Sequence, residues 1–175
     1  GSDANDANLA TISGSLTTNY PGPNDYTHLS DVGAVTITNA ASATLVDFTG
    51  VTVTSINGGS MTFASATSVN LGTAPVTSLT ANKATTIETR MVTAAGVAIT
   101  ATSATAINVN QMTSSTGNIS ITGAGTPTIV HFDALATIAG TLTTVTVGEA
   151  HIGALTQSTG ALAVAAGTAA NFGAL

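Results

Sequence analysis

His131-Phe132-Asp133-Ala134-Leu135 is followed twenty residues on by His151-Ile152-Gly153-Ala154-Leu155, and after another twenty by Asn171-Phe172-Gly173-Ala174-Leu175. A polar residue, an apolar one, two small or polar ones and a leucine recur at constant spacing. A period of this length is that of a solenoid coil. Traced toward the N-terminus, the polar position falls on His28, Asp47, Asn70, Glu88, Asn108, His131, His151 and Asn171, with gaps of 19, 23, 18, 20, 23, 20 and 20. The residue after it makes a second column, Leu29, Phe48, Leu71, Thr89, Val109, Phe132, Ile152 and Phe172. Three residues further lies a third: Val32, Val51, Val92, Met112, Leu135, Leu155 and Leu175, with the copy after Leu71 disturbed by Pro75 and resuming near Val76.

A glycine then introduces an alternating segment. Gly14, Gly117, Gly140 and Gly160 fall five residues after their third-column residue, with Gly96 slightly earlier. Behind them run Val97-Ala98-Ile99-Thr100, Ile119-Ser120-Ile121-Thr122 and Leu162-Ala163-Val164, with Val35-Thr36-Ile37-Thr38 and Met61-Thr62-Phe63 as earlier equivalents. Period-two alternation of β-branched residues behind a glycine is a strand after a corner. The next corner holds small residues, as in Ala64-Ser65-Ala66, and a second strand follows, as in Val46-Asp47-Phe48 or Ile107-Asn108-Val109. Stacking coils about 4.8 Å apart turns each apolar column into an internal ladder. The expectation is an all-β chain: a β-solenoid of about eight coils of ~20 residues, on the order of 40 Å long, with no long α-helix. Residues 1–8 form an N-terminal cap or tail and residues 9–175 the solenoid. Asn19 to Tyr26, with Pro21 and Pro23, is expected to protrude as a loop.

Composition limits function. Of 175 residues, 43% are hydrophobic and only 6% charged, with a net charge of −6. Lys83 and Arg90 are the only basic residues apart from histidine, too few to neutralise a run of phosphates or to hold an anionic membrane. Abundant β-branched residues and scarce charge are the reverse of a disordered composition. The absence of cysteine rules out disulfides and thiolate chemistry. No apolar run is long enough to span a membrane, and no basic-then-apolar leader opens the chain. Leu175 falls within a good repeat, as expected of a segment of a longer repeat protein or of a coil covered by another subunit.

Leu135-x-x-Ile138-x-Gly140-x-Leu142, with its small-residue corner and apolar-polar-apolar triplet, resembles the receptor L-domain type of leucine-rich-repeat-like β-solenoid. Leu9-Ala10-Thr11-Ile12-Ser13-Gly14-Ser15-Leu16 carries the same signature, so the resemblance covers most of the chain. It departs in having few leucines, no Cys-rich flanks and an irregular coil at residues 72–92. The resemblance implies a secreted or surface-anchored binding or structural module.

Strand alternation points the polar column outward. His131 and His151, on adjacent coils roughly 5 Å apart with Glu88 and Asn108 below them, are the candidates for a metal or ligand site. A solvated face is the favoured alternative, because a closed metal site needs three or four convergent ligands. A second candidate is the face carrying Thr36, Thr38, Thr62, Thr100, Ser120, Thr122 and Thr143, an interaction surface on which ice-binding solenoids are one model. Only Thr36 and Thr38 make a full outward Thr-x-Thr pair. Asp3, Asn5, Asp6 and Asn8 offer oxygen ligands of the kind Ca2+ takes, without the spacing of a binding loop. No nucleophile motif, phosphate loop or convincing carboxylate pair is present, and no enzyme, catalytic residue or bound cofactor is expected. The reading is an extracellular structural or adhesive module of a microbial surface protein. Its expected partners are itself or another surface protein or glycan, not nucleic acid and without membrane insertion. Ice binding and polysaccharide binding or cleavage are the alternatives.

Overall fold

A computed structural model describes residues 10–19, 22–37, 45–56 and 60–172, and over these the chain is all β. Six strands come first: β1 (Thr11–Thr18), β2 (Pro23–Asp25), β3 (Asp31–Ile37), β4 (Leu45–Asp47), β5 (Thr52–Ile56) and β6 (Ser60–Thr62). The middle of the chain forms β7 (Ser68–Asn70), β8 (Ser78–Thr80), β9 (Thr86–Glu88), β10 (Thr93–Ala94), β11 (Val97–Thr100) and β12 (Ala106–Asn108). The last six are β13 (Ser114–Ser115), β14 (Ile119–His131), β15 (Thr137–Ile138), β16 (Leu142–Ile152), β17 (Gln157–Ser158) and β18 (Leu162–Phe172). Pairing among them is parallel, each strand stacking on its equivalent one coil away, and this is a β-solenoid.

Three faces make up the coil. The polar face stacks β2, β4, β7, β9, β12 and the ends of β14, β16 and β18, eight strands and so about seven turns. A threonine-bearing face stacks β6, β8, β11 and the beginnings of β14, β16 and β18. The third, narrow face is β10-β13-β15-β17, with β1, β3 and β5 forming a separate three-stranded sheet at the N-terminal end. Residues 134–138 thus contribute a third strand, Thr137–Ile138. β14, β16 and β18 run through two faces, and register shifts mark the corner, as between Thr122 and Ile129.

The interior is a set of ladders. The centre of the polar face reads Asn24, Val46, Val69, Ile87, Ile107, Val130 and Ala150, each buried. Burying like residues against like at every coil removes apolar area from water at about 25 cal/mol per Å2 and fixes register, because a one-residue slip would turn the whole column outward.

Three expectations need correction. Pro23 to Tyr26 does not protrude. It is the first rung: β2 pairs with β4, Asn24 is 2% exposed, and Tyr26 stacks on Phe48 with ring centroids 4.9 Å apart. Pro23 opens a strand that, among the described residues, pairs only with β4, and no ladder bond there needs its missing N–H. The polar column therefore starts at Asp25, not His28, which lies in the following turn. Tyr26 and Leu29 take the places assigned to Leu29 and Val32, and Val32 stacks on Val53 instead. Third, Val92 is 52% exposed and Met91 is buried. Glu88 to Thr93 is one residue shorter than Asn108 to Ser114, so Met91 occupies the place of Met112, two before the narrow strand. Tyr20, Pro21, Thr38, Asn57, Gly58, Gly59 and Leu175 lie outside the described residues.

The abundance of threonine has a structural cause beyond strand preference. At the corners a threonine hydroxyl donates to a carbonyl of the coil below: Thr85 to Thr67 (3.2 Å), Thr105 to Thr85 (3.1 Å), Thr113 to Val92 (3.2 Å) and Thr156 to Ala136 (3.2 Å). The same carbonyls accept the backbone N–H of these threonines, so each corner is bonded twice to its neighbour. Buried Thr128 donates to the Ala104 carbonyl (2.6 Å) and accepts the Ala124 N–H (2.8 Å).

Two threonines sit where an apolar rung belongs. Thr89 follows Leu71 and precedes Val109 in the second column, and Thr144 lies between Ile121 and Val164. Both hydroxyls are buried with no hydrogen-bond partner. An orphaned buried hydroxyl costs about 1–3 kcal/mol. Thr89→Val and Thr144→Val are each expected to stabilise the chain by about 1 kcal/mol, a rise in Tm of about 2–4 °C by scanning calorimetry. A fall in Tm for both would show that the hydroxyls are satisfied in solution.

Candidate functional site

The polar column runs Asp25, Asp47, Asn70, Glu88, Asn108, His131, His151, Asn171, each paired with the next in register. Each lies between inward neighbours and is at least partly exposed. At the N-terminal end the column builds turns. Asp25 accepts the Thr27 N–H (3.1 Å) and hydroxyl (2.8 Å), and Asp47 accepts those of Thr49 (2.9 and 2.6 Å). Asn70 accepts the Gly72 N–H (3.0 Å) and donates to the Thr49 hydroxyl (2.8 Å), linking two coils. These are Asx turns, which is why short acids and amides occupy the corner. The Thr27 N–H, and secondarily its hydroxyl, hold the Asp25 carboxyl below its ordinary value.

Further along, the column changes chemistry. Glu88 accepts from Arg90 Nε at 2.9 Å, and a polar depression of about 350 Å3 is lined by both with Thr89, Asn108, Asn110 and Gln111. On the next two coils the His131 and His151 rings lie with centroids 4.9 Å apart and tilted by 41°. Pairing of β14 with β16 places them there. His131 Nδ1 is 3.7 Å from Asp133 Oδ2, and His151 Nε2 is 3.1 Å from Glu149 Oε2. With its amide oriented to satisfy its neighbours, Asn110 donates to Asp133 Oδ2 and to the His131 carbonyl, both at 3.2 Å. The two histidines are thus brought together as their spacing implied, whereas Glu88 and Asn108 belong to the depression beneath.

Asp133 and Glu149 escaped the sequence reading as site residues. Glu149 lies two residues before His151 on one strand, and alternation alone puts both on one face. Asp133 sits in the turn after β14, beyond the strand, so column alignment is blind to its direction; the signal is the His-x-Asp spacing.

Thr62, Thr80, Thr100 and Thr122 form a continuous ladder over four coils, with Val145 beyond. Beside it run Ser60, Ser78, Ala98, Ser120, Thr143 and Ala163. Thr80 was missed because Pro75 blurred the preceding corner. Thr36 does not join this row; it pairs with Thr17 in the separate sheet. Thr38 and the cluster Asp3, Asn5, Asp6 and Asn8 lie outside the described residues. Among the described residues no helix is long and apolar enough to cross a membrane. No family model, curated protein or solved structure matches the chain.

Proposed function

We propose that this chain is an extracellular structural or adhesive repeat module of a microbial surface protein, of the receptor L-domain-like kind, acting through self-association or contact with surface partners. The observation that carries the reading is the unbroken parallel stacking of coil on coil, each rung of the polar face paired with the next from β2 to β18. Coils of one repeat present backbone groups and short side chains at a common register, a pattern suited to pairing with other coils of the same kind. The scarcity of charge and the doubly bonded corners favour a rigid rod over a catalyst. Light scattering of the purified chain at rising concentration is expected to show masses above 16.9 kDa. A wild-type chain that stays monomeric throughout removes self-association.

The continuous Thr62–Thr122 ladder favours one second reading, an ice-binding face. Hydroxyls and methyls there repeat at about 4.8 Å between coils of a parallel sheet. Thermal hysteresis that disappears in Thr100→Tyr supports it, and its absence from the wild type ends it.

A further inference from the structure

We propose that His131, His151 and Asp133 bind a divalent transition-metal ion of the Zn2+ class, clamping two successive coils. The ligating atoms of these three residues all lie within 4.8 Å of one another, and two coils and a turn supply them. Tetrahedral ligands at metal distances of about 2.0–2.2 Å stand about 3.3–3.6 Å apart, so small side-chain rotations close the group. His131 and His151 are 30% and 33% exposed and Asp133 53%, which leaves that freedom. Two imidazoles and one carboxylate are a donor set for zinc, copper or nickel rather than for Ca2+ or Mg2+, which take oxygen ligands.

Neighbouring groups fit the same assignment. A ligating histidine ordinarily donates its other ring nitrogen to a carboxylate, and Glu149 stands at His151 Nε2, leaving Nδ1 to ligate. Asn110 holds Asp133 from the coil below. The two carboxylates balance the charge of a divalent ion, and water completes the coordination. Elsewhere the column places a single acid, amide or ion pair at each corner, already occupied at Asp25, Asp47, Asn70 and Glu88. The histidine coils differ in bringing two strong ligands into adjacent register with a third beside them. This proposal is independent of the proposed self-association.

The test is calorimetric titration of the untagged chain with ZnCl2. One ion per chain is expected, with binding weakened at least tenfold in His131→Ala, His151→Ala and Asp133→Asn. Glu149→Gln, a positioning change, weakens binding about tenfold. Circular dichroism checks that each variant keeps its β fold, as half-exposed side chains allow. Co2+ gives an independent readout: visible absorption of tetrahedral intensity in the wild type, lost in His151→Ala. Saturating Zn2+ raises the wild-type Tm by several degrees and leaves that of His131→Ala unchanged. No uptake by the wild type at millimolar Zn2+, or equal uptake by the folded histidine variants, overturns the proposal.

Discussion

Phe132→Ala is expected to destabilise the chain by about 3–5 kcal/mol, the range for deleting a fully buried aromatic ring. Phe132 is 0% exposed, in the apolar column between Val109 and Ile152. Its N–H donates to the His151 carbonyl, and the Val109 N–H donates to that of His131, so the backbone on both sides is held by ladder bonds and cannot readily collapse into the void. The cavity term therefore adds to the lost transfer energy. At about 2–4 °C per kcal/mol, Tm should fall by roughly 6–20 °C. A solenoid is stabilised by contacts between neighbouring coils, so this loss is concentrated at one junction. Thermal unfolding of the variant should accordingly split into two steps, coils on either side of Phe132 melting separately, where the wild type melts in one.

Phe172 supplies the contrast. It occupies the same column at the last described coil and is 36% exposed. Phe172→Ala is expected to cost under about 1 kcal/mol, because a ring already 36% exposed loses less burial. Equal costs at Phe132 and Phe172 would mean that the column is not the stacking element of the rod.

The outward polar column and the buried column after it were legible in the sequence because each coil spends the same few residues on them. Asp47, Asn70, Glu88, Asn108, His131, His151 and Asn171 are all in the register their spacing implies. Phase was lost where a corner changes length. Between Glu88 and Thr93 the loss of one residue turns Met91 in and Val92 out, and residue type cannot distinguish them because both are apolar. At the first rung, prolines disguise a strand: Pro23 looks like a breaker, yet no ladder bond among the described residues calls for its missing donor. Asn24 deepens the disguise, as a buried polar residue satisfied by the Tyr26 hydroxyl at 3.0 Å and by donating to the Gly22 carbonyl at 3.1 Å.

The candidate site was half legible for a related reason. Ladders place His131 beside His151 whatever the details of the turns, so the pair follows from period alone. Asp133 belongs to a turn, where no period-two rule assigns a direction. The threonine hydroxyls bonded between coils were invisible too. A sequence shows threonine as a strand former, whereas its donation to the coil below depends on which corner it occupies.

Gly140 decides how closely successive coils can approach. A Cβ built there would lie under 3.0 Å from the Gly117 carbonyl and the Asn118 nitrogen, all backbone atoms of the coil below. Backbone cannot swing aside as the end of a side chain can, so Gly140→Ala must either lift the corner or break the bonds around it, including the Ala139 N–H to the Ser115 carbonyl at 2.9 Å. Overpacking of this kind costs about 1–3 kcal/mol and occasionally more, and confinement on a bonded corner puts the expected loss near the top of that range. Gly14 occupies the equivalent corner of the first coil, where a Cβ would meet nothing within 4 Å among the described residues. Gly14→Ala should therefore be neutral, or stabilising by about 0.4–1 kcal/mol through the lower entropy of the unfolded chain. Paired urea titrations of the two variants separate the causes. A large loss at Gly140 with none at Gly14 identifies coil-on-coil contact as the reason for the glycine column. Comparable losses at both would show instead that the corner needs glycine for its own backbone conformation, and the stacking argument would fail.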